Sequence, residues 1–192
     1  RSPRIGPPPT TLVIQRGRFE DALANLSAIF QERGVAYALM GGLAVAAWGA
    51  PRATEDIDLL ADLSPSQELD AALHARGFEA EWRRGAPDDP IPLLLRLRSR
   101  SGPEIDVVCA TRAWEREMLS RSIRLRLPQG LEIPVVAIED LIVLKLMAGG
   151  PADLADVADL LQRAGPLPEL EKRAAARGVL ELLRQVRASA GN

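Results

Sequence analysis

The order of apolar and polar positions along the chain predicts a mixed α/β region followed by helices. Apolar residues recur at helical spacing from Phe19 to Glu32, and the run from Val35 to Met40 is typical of a short buried strand. We predict further strands at Thr54–Ala61, Phe78–Trp82, Leu93–Arg98, Glu104–Cys109, Ile123–Leu127 and Leu131–Val136, the last two as a hairpin. We predict further helices at Leu43–Trp48, Pro65–Arg76 and Thr111–Ser120, and mostly helix from Ile138 onward.

This order of elements predicts an α/β (α+β) fold, with a mixed sheet, helices on one face and a C-terminal helical extension. We expect residues 1–16 to form a flexible N-terminal tail, because the run Pro7-Pro8-Pro9 cannot bury apolar surface. We assign residues 17–137 to the α/β core and residues 138–192 to the C-terminal helical region.

Two aspartates stand two residues apart in the second predicted strand, in the sequence Asp56-Ile57-Asp58. Side chains at positions i and i+2 of a strand point to the same face, so the two carboxylates would lie side by side. Adjacent like charges repel, and a divalent cation between them would relieve the repulsion. The upstream pair Gly41-Gly42 would let a phosphate approach bare backbone N–H groups. Together these features indicate metal-assisted chemistry on a nucleoside triphosphate (NTP).

The amino-acid composition limits which metals the chain could bind. Of 192 residues, 47% are hydrophobic and 26% charged, and the net charge is -2, so no global charge favours a nucleic acid or an anionic membrane. The chain has one histidine, His74, which we interpret as an ordinary surface or half-buried residue, and one cysteine, Cys109. A histidine-rich zinc site is therefore excluded, and oxygen ligands favour Mg²⁺ or Mn²⁺. The single cysteine fits a cytoplasmic location, and no apolar run is long enough for a membrane span.

A third acidic residue, Asp106, stands in the middle of the predicted strand Glu104–Cys109, where aspartate is uncommon. If this strand neighbours the strand of Asp58, the three aspartates could hold two divalent ions, and Asp106 could act as general base. The alternative interpretation is that these aspartates form the solvated face of edge strands.

The stretch from Gly41 to Asp58 resembles the signature of the polymerase-β nucleotidyltransferase superfamily, in which a glycine turn precedes an Asp-x-Asp strand and a later third aspartate. The spacing, together with Glu139–Lys145 and Asp153–Asp156, is most similar to the small bacterial AbiEii-type abortive-infection toxins. The resemblance implies transfer of a nucleoside monophosphate (NMP) from an NTP.

The resemblance also implies roles for individual residues. Gly41 and Gly42 would hold the phosphates, and Asp56, Asp58 and Asp106 would be the catalytic, metal-binding carboxylates. Lys145 would lie near the triphosphate, or else be a solvated helix residue, and Arg52 would steady the triphosphate or cap its loop. The chain departs from the pattern in having Gly42 where many members have serine. It also lacks the arginine or lysine that some relatives carry near residues 149–151.

The acceptor is left open by the sequence. A macromolecule is one class, either tRNA or protein, with a cognate toxin or antitoxin protein as a further partner. A small-molecule acceptor, as in aminoglycoside or lincosamide nucleotidyltransferases, is a second class, for which Asp88 and Asp89 could contribute acidic groups. A third class is a non-catalytic binding module with a vestigial site.

Three further groups of residues receive structural interpretations. Asp153, Asp156 and Asp159 recur at helical spacing, and we expect an exposed stripe that compensates the helix dipole. Trp48 is expected to pack in the core. We expect solvated faces for two arginine clusters, which are Arg96, Arg98 and Arg100, and Arg121, Arg124 and Arg126.

Overall fold

The computed structural model describes residues 16–50, 54, 56–86, 89–100, 102–126 and 131–190, with residues 16–18 described by their backbone alone. The described strands are β1 Tyr37–Met40, β2 Ile57–Ala61, β3 Glu79–Arg84, β4 Leu93–Arg98, β5 Ile105–Cys109, β6 Ile123–Arg126 and β7 Glu132–Val135. The described helices are α1 Arg16–Glu32, α2 Gly41–Ala47, α3 Gln67–Ala75, α4 Ala113–Ser120, α5 Ile138–Ala148, α6 Pro151–Arg163, α7 Leu170–Ala176 and α8 Leu180–Ala190.

The strands form one seven-stranded mixed sheet in the order β3-β4-β5-β2-β1-β7-β6. The pairs β2–β5 and β1–β7 are parallel, and the other neighbouring pairs are antiparallel. The strands β2 and β5 lie near the centre, and their later residues are buried whichever way they point, as Leu59 and Leu60 illustrate. The sequence-based prediction of a mixed sheet with a helical C-terminal region is therefore confirmed.

Most predicted elements agree with the structure to within a few residues, and the starts of β2 and α3 show why some bounds differ. The strand predicted from Thr54 begins only at Ile57, whose N–H donates to the carbonyl of Glu104 at 3.0 Å. The helix predicted from Pro65 is capped instead by Ser66, whose Oγ accepts from the N–H of Leu69 at 3.1 Å.

A single hydrophobic cluster joins the sheet to the helices that follow it. It includes Leu59 of β2, Leu141 of α5, Leu160 of α6 and Leu183 of α8, all nearly or fully buried. The boundary that we placed at residue 137/138 remains a prediction. None of the helices in the described ranges is both long enough and apolar enough to cross a membrane.

A buried carboxylate also ties the C-terminal helices to the rest of the fold. Asp140, in the first turn of α5, has a side chain only 4% exposed. It accepts two hydrogen bonds of 3.1 Å from Arg121, which follows α4, and lies 2.8 Å from Nη1 of Arg173 in α7. The hydrogen bonds to Asp140 raise the pKa of the Arg121 guanidinium, which stays charged. Arg121 is thus engaged in this network rather than on the solvated face that the sequence predicts.

We predict that Asp140→Asn lowers the free energy of unfolding by about 3 kcal/mol, because it leaves two arginines around a neutral amide in a buried site. Asp62→Asn is the matched control, since Asp62 pairs with Arg116 at 3.1 Å with both side chains about half exposed. We expect the control to cost less than about 1 kcal/mol. Urea titrations followed by circular dichroism measure both values. Equal losses in the two variants would contradict the assignment.

Cys109, at the end of β5, provides a pH-dependent test of the core. Burial raises the pKa of its thiol from 9.0 to about 12. The unfolded chain therefore loses the thiol proton first, and the thiol's contribution to stability is complete below pH 9.0 and declines toward pH 12. We predict that iodoacetamide at pH 9.0 alkylates Cys109 in urea but not in the folded protein, as measured by mass spectrometry. Similar rates in the two states would refute the buried thiol.

Candidate active site

The glycine pair stands where β1 passes directly into α2. Met40 is extended, with φ -134°, and Gly41 follows with φ +65°, a left-handed conformation that favours glycine. Gly42 is buried, and the side chain of Met40, the residue before the helix, makes no capping hydrogen bond. The first N–H groups of a helix have no partner within the helix, so those of α2 are backbone donors of the kind that a phosphate can use.

Gly41 also lies directly against the carboxylate of Asp58. A Cβ built on Gly41 would be 2.7 Å from Cγ of Asp58 and 2.8 Å from its Cβ, much closer than carbon atoms normally approach. The absence of a side chain at position 41 therefore lets the backbone pass over the carboxylate. The glycine turn and the aspartate strand form one packed unit.

Strand register places two of the three predicted aspartates side by side. Asp58 pairs with Asp106 across the parallel β2–β5 ladder and with Met40 across the antiparallel β1–β2 ladder. Adjacent strands are separated by about 4.8 Å, so the two half-buried carboxylates emerge on the same face as close neighbours. The condition that the strand of Asp106 borders the strand of Asp58 is therefore met.

The same row of side chains continues into β4 with an arginine. Arg96 pairs with Asp106 in the β4–β5 ladder, and its Nε and Nη2 donate to Oδ1 and Oδ2 of Asp106, each at 2.7 Å. The Arg96 Nε also lies 3.1 Å from Oε1 of Glu104. The hydrogen bonds to Asp106 raise the pKa of Arg96, which therefore remains charged. Arg96 was expected on a solvated face, and that expectation is wrong because both partners are half-buried.

Asp56 is placed differently from its two predicted partners. It is exposed and lies just before β2, and the hydroxyl of Thr54 donates to its backbone carbonyl at 3.2 Å. Within the described ranges, no three His, Cys, Asp or Glu side chains are arranged so that they could hold a metal ion together. The donor chemistry nevertheless fits Mg²⁺, since adjacent carboxylates supply hard oxygen ligands. A three-aspartate metal site remains a prediction.

The helix lysine is buried and engaged in ion pairs. Lys145 in α5 lies 2.8 Å from Oδ1 of Asp153 and 2.9 Å from Oδ2 of Asp156, both in α6. Its side chain is 10% exposed, so the solvated alternative for this residue is wrong. Asp156 is also buried, which corrects the predicted exposed stripe, whereas Asp159 is exposed as expected. Lys145 and Asp156 can both be buried because each neutralises the charge of the other.

Other predicted residues fall into two groups. Arg52 and Asp88 lie outside the described residues, so their predicted roles are not addressed by the structure. His74 is exposed in α3, and Trp48 packs against the core while its Nε1 donates to the carbonyl of Val136 at 3.0 Å, both as expected.

The strand that passes straight into a glycine-led helix lies beside two parallel strands that bear paired aspartates, in agreement with the glycine turn, Asp-x-Asp strand and third aspartate of the resemblance described above. The family model of the nucleotidyl transferase AbiEii toxin, from type IV toxin–antitoxin systems, matches residues 22–191. The chain belongs to this family, and it is a nucleotidyltransferase. The predicted family and enzyme class are thereby confirmed.

Solved structures share the same fold at low sequence identity. An antigenic nucleotidyltransferase-like protein from Paracoccidioides brasiliensis is 19% identical, with a TM-score of 0.61 over 92% of this chain and 93% of that one. A Thermotoga maritima protein assigned as a nucleotidyltransferase is 15% identical, with a TM-score of 0.56 over 79% and 97%. The antibiotic-resistance factor ANT(2″)-Ia is 17% identical, with a TM-score of 0.54 over 89% and 94%. No curated protein sequence matches the chain significantly.

We predict that Gly41→Ala destabilises the protein more than Gly34→Ala does. Gly34 has nearly the same backbone, with φ +64°, but a Cβ there meets no heavy atom within 4 Å. The control should therefore lose only the left-handed preference, about 1 kcal/mol. Gly41→Ala should lose about 1–3 kcal/mol more, because its Cβ collides with Asp58. Urea titrations give both free energies of unfolding, and equal losses would show that Gly41 does not pack on Asp58.

Proposed function

We propose that this chain transfers an NMP from an NTP to a macromolecular acceptor, in a reaction that depends on Mg²⁺ or Mn²⁺. The observation that carries the proposal is the register of Asp58 beside Asp106, directly under the left-handed Gly41. This arrangement puts backbone N–H donors and carboxylate oxygens at one end of the β1–β2–β5 ladder. Few reactions need an anion cradle and a carboxylate pair so close together, and nucleotidyl transfer is one of them.

Asp58 and Asp106, joined by Asp56 from the segment before β2, are the residues that would hold the metal. A bound divalent cation would neutralise charge on the triphosphate and polarise the reacting phosphorus. Gly41 and Gly42 would bind the phosphates through backbone N–H groups. The hydrogen bonds they donate, together with the fixed position of Asp58, would orient the α-phosphorus.

The transfer itself requires a base on the acceptor side. We propose that Asp106 accepts the proton of the acceptor hydroxyl, whose oxygen then bonds to the α-phosphorus. The bond from that phosphorus to the oxygen bridging to the β-phosphate breaks, and pyrophosphate leaves with the electron pair. Asp106 is the suitable carboxylate because it lies further from the glycine turn than Asp58 does, one strand away.

Lys145 and Arg52 are proposed to support the triphosphate. Lys145 lies in α5, and α5 packs against α2, the helix that begins with the glycine pair. Its two aspartate partners would hold the ammonium in a fixed position, which suits a residue that orients a polyanion. For Arg52 the support is its place in the sequence between the glycines and Asp58.

For the acceptor we propose tRNA or protein, with a cognate antitoxin protein as partner, in the cytoplasm. The family description, a toxin of a type IV toxin–antitoxin system, supports the toxin role. A small cationic acceptor is the second candidate, because Glu81, Asp106 and Asp58 outnumber Arg96 along the row of the site. ANT(2″)-Ia, which shares the fold, has been solved with adenylyl-2″-tobramycin. A non-catalytic binding module with a vestigial site is the third.

We predict that Asp58→Asn lowers the rate of NMP transfer by at least about 10³-fold while the protein remains folded, because the metal loses a charged ligand. Asp56→Asn should also lower the rate strongly. Asp62→Asn, a similar change at the other end of β2, is the control and should retain full activity. Pyrophosphate release in Mg²⁺, and after chelation with EDTA, measures each rate. Undiminished turnover in Asp58→Asn, or in EDTA, would refute the proposal.

Two measurements separate the acceptor classes. Labelled NTPs are incubated with the protein and with total tRNA, lysate protein or an aminoglycoside panel, and the labelled product identifies the class. Thermal shifts with each NTP and Mg²⁺ test the non-catalytic alternative. A ligand at one hundred times its dissociation constant stabilises the folded state by about 2.7 kcal/mol. Absence of a shift with every NTP would overturn both enzymatic hypotheses.

A further inference from the structure

Arg96 belongs to a row of charged side chains that crosses the sheet, and it forms two hydrogen bonds with Asp106 in that row. The ladders place Glu81, Arg96, Asp106 and Asp58 opposite one another in succession, on β3, β4, β5 and β2. The Nε and Nη2 atoms of Arg96 donate to the two carboxylate oxygens of Asp106, each at 2.7 Å. The side chains of Arg96 and Asp106 are only 21% and 25% exposed, so water screens the pair weakly.

The neighbouring Arg98 shows that this contact is specific to position 96. Arg98 points to the same face of β4 but binds Glu104 at 2.8 Å and Glu81 at 3.2 Å. It is more exposed, at 47%. Removal of Arg98 would therefore change the local charge by the same amount without touching the carboxylate of Asp106.

We propose that Arg96 is an internal counter-cation that competes with a divalent metal for Asp106, so that Asp106 becomes a metal ligand only when Arg96 is displaced. The proposal rests on the proposed function, in which Asp106 is the third carboxylate. It follows from the geometry, because each oxygen of Asp106 already accepts a charge-assisted hydrogen bond. A metal would meet both this competition and the repulsion of a fixed positive charge.

The consequence is that Arg96 balances the carboxylates when metal is absent and weakens metal binding to the protein without NTP. A triphosphate, which brings its own negative charge, would favour displacement of Arg96 and entry of the metal. Arg96 is therefore a positioning residue that acts through Asp106. Metal and nucleotide would bind cooperatively as a result.

The test is a Mn²⁺ titration without NTP, in which electron paramagnetic resonance measures the free ion. We expect Arg96→Gln to bind Mn²⁺ about tenfold more tightly than the wild type, since a competing charge is removed. Arg98→Gln is the matched control and should bind within about twofold of the wild type. Arg96→Gln binding no more tightly than Arg98→Gln would overturn the proposal.

A second variant tests the same proposal in case Arg96→Gln does not fold. Arg96→Lys retains the charge but cannot form the two-pronged contact, and we expect its Mn²⁺ affinity to lie between those of the wild type and Arg96→Gln. An affinity equal to that of the wild type would count against the proposal. Arg98→Lys is the corresponding control.

Failure of this inference is distinguishable from failure of the proposed function. Asp58→Asn is titrated in parallel and should weaken Mn²⁺ binding, and pyrophosphate release by the wild type is measured separately. Weakened binding in Asp58→Asn with no effect of Arg96→Gln would refute the role of Arg96 alone. Metal binding that follows the Arg96 prediction without pyrophosphate release would refute the proposed reaction and leave the competition at Asp106 intact.

Discussion

The parallel pairing of β2 with β5 brings together the two aspartates on which the proposed chemistry depends. Parallel strands in register bring equivalent positions together, so Asp58 and Asp106 become neighbours although they are 48 positions apart in the sequence. The rest of the site depends on this pairing, because Gly41 packs against Asp58 and Arg96 donates hydrogen bonds to Asp106. A shift of one residue in this register would turn one carboxylate into the core and disperse the row.

The buried residues around the pair explain how two acidic groups are tolerated so close together. Ile57, Leu59, Ile105 and Val107 flank them and are at most 1% exposed, which stabilises the strands through apolar burial. Arg96 offsets part of the repulsion between the carboxylates. Asp140 in α5 uses a related solution, with one buried carboxylate held between two arginines.

Local patterns in the sequence were sufficient to predict the helices and strands, but not which strands pair with one another. β4 was predicted with its observed bounds because leucine and arginine alternate there. Asp56 was assigned to β2 because Asp-x-Asp alternates as a strand does, whereas the ladder starts only at Ile57. Which strands pair, and in what register, depends on contacts distant in sequence that no local pattern contains.

The charged partners were the hardest to predict for the same reason. Asp156 was predicted on an exposed stripe, and for Lys145 a solvated position was one of two alternatives. The burial of both residues depends on how α5 and α6 pack. A lysine in the otherwise apolar middle of α5 was the signal that could have indicated this. The short connection between β4 and β5 likewise allows few registers, and one of them places Arg96 opposite Asp106.

The contact between Gly41 and Asp58 has a consequence for how this site can change over evolutionary time. The glycine turn and the carboxylate strand are interlocked, so a side chain can appear at position 41 only if the residue at position 58 becomes smaller. A descendant that lost the aspartate would also lose the steric restriction on the turn. Positions 41 and 58 should therefore vary together, and a side chain at position 41 would identify a lineage that no longer has the carboxylate at position 58.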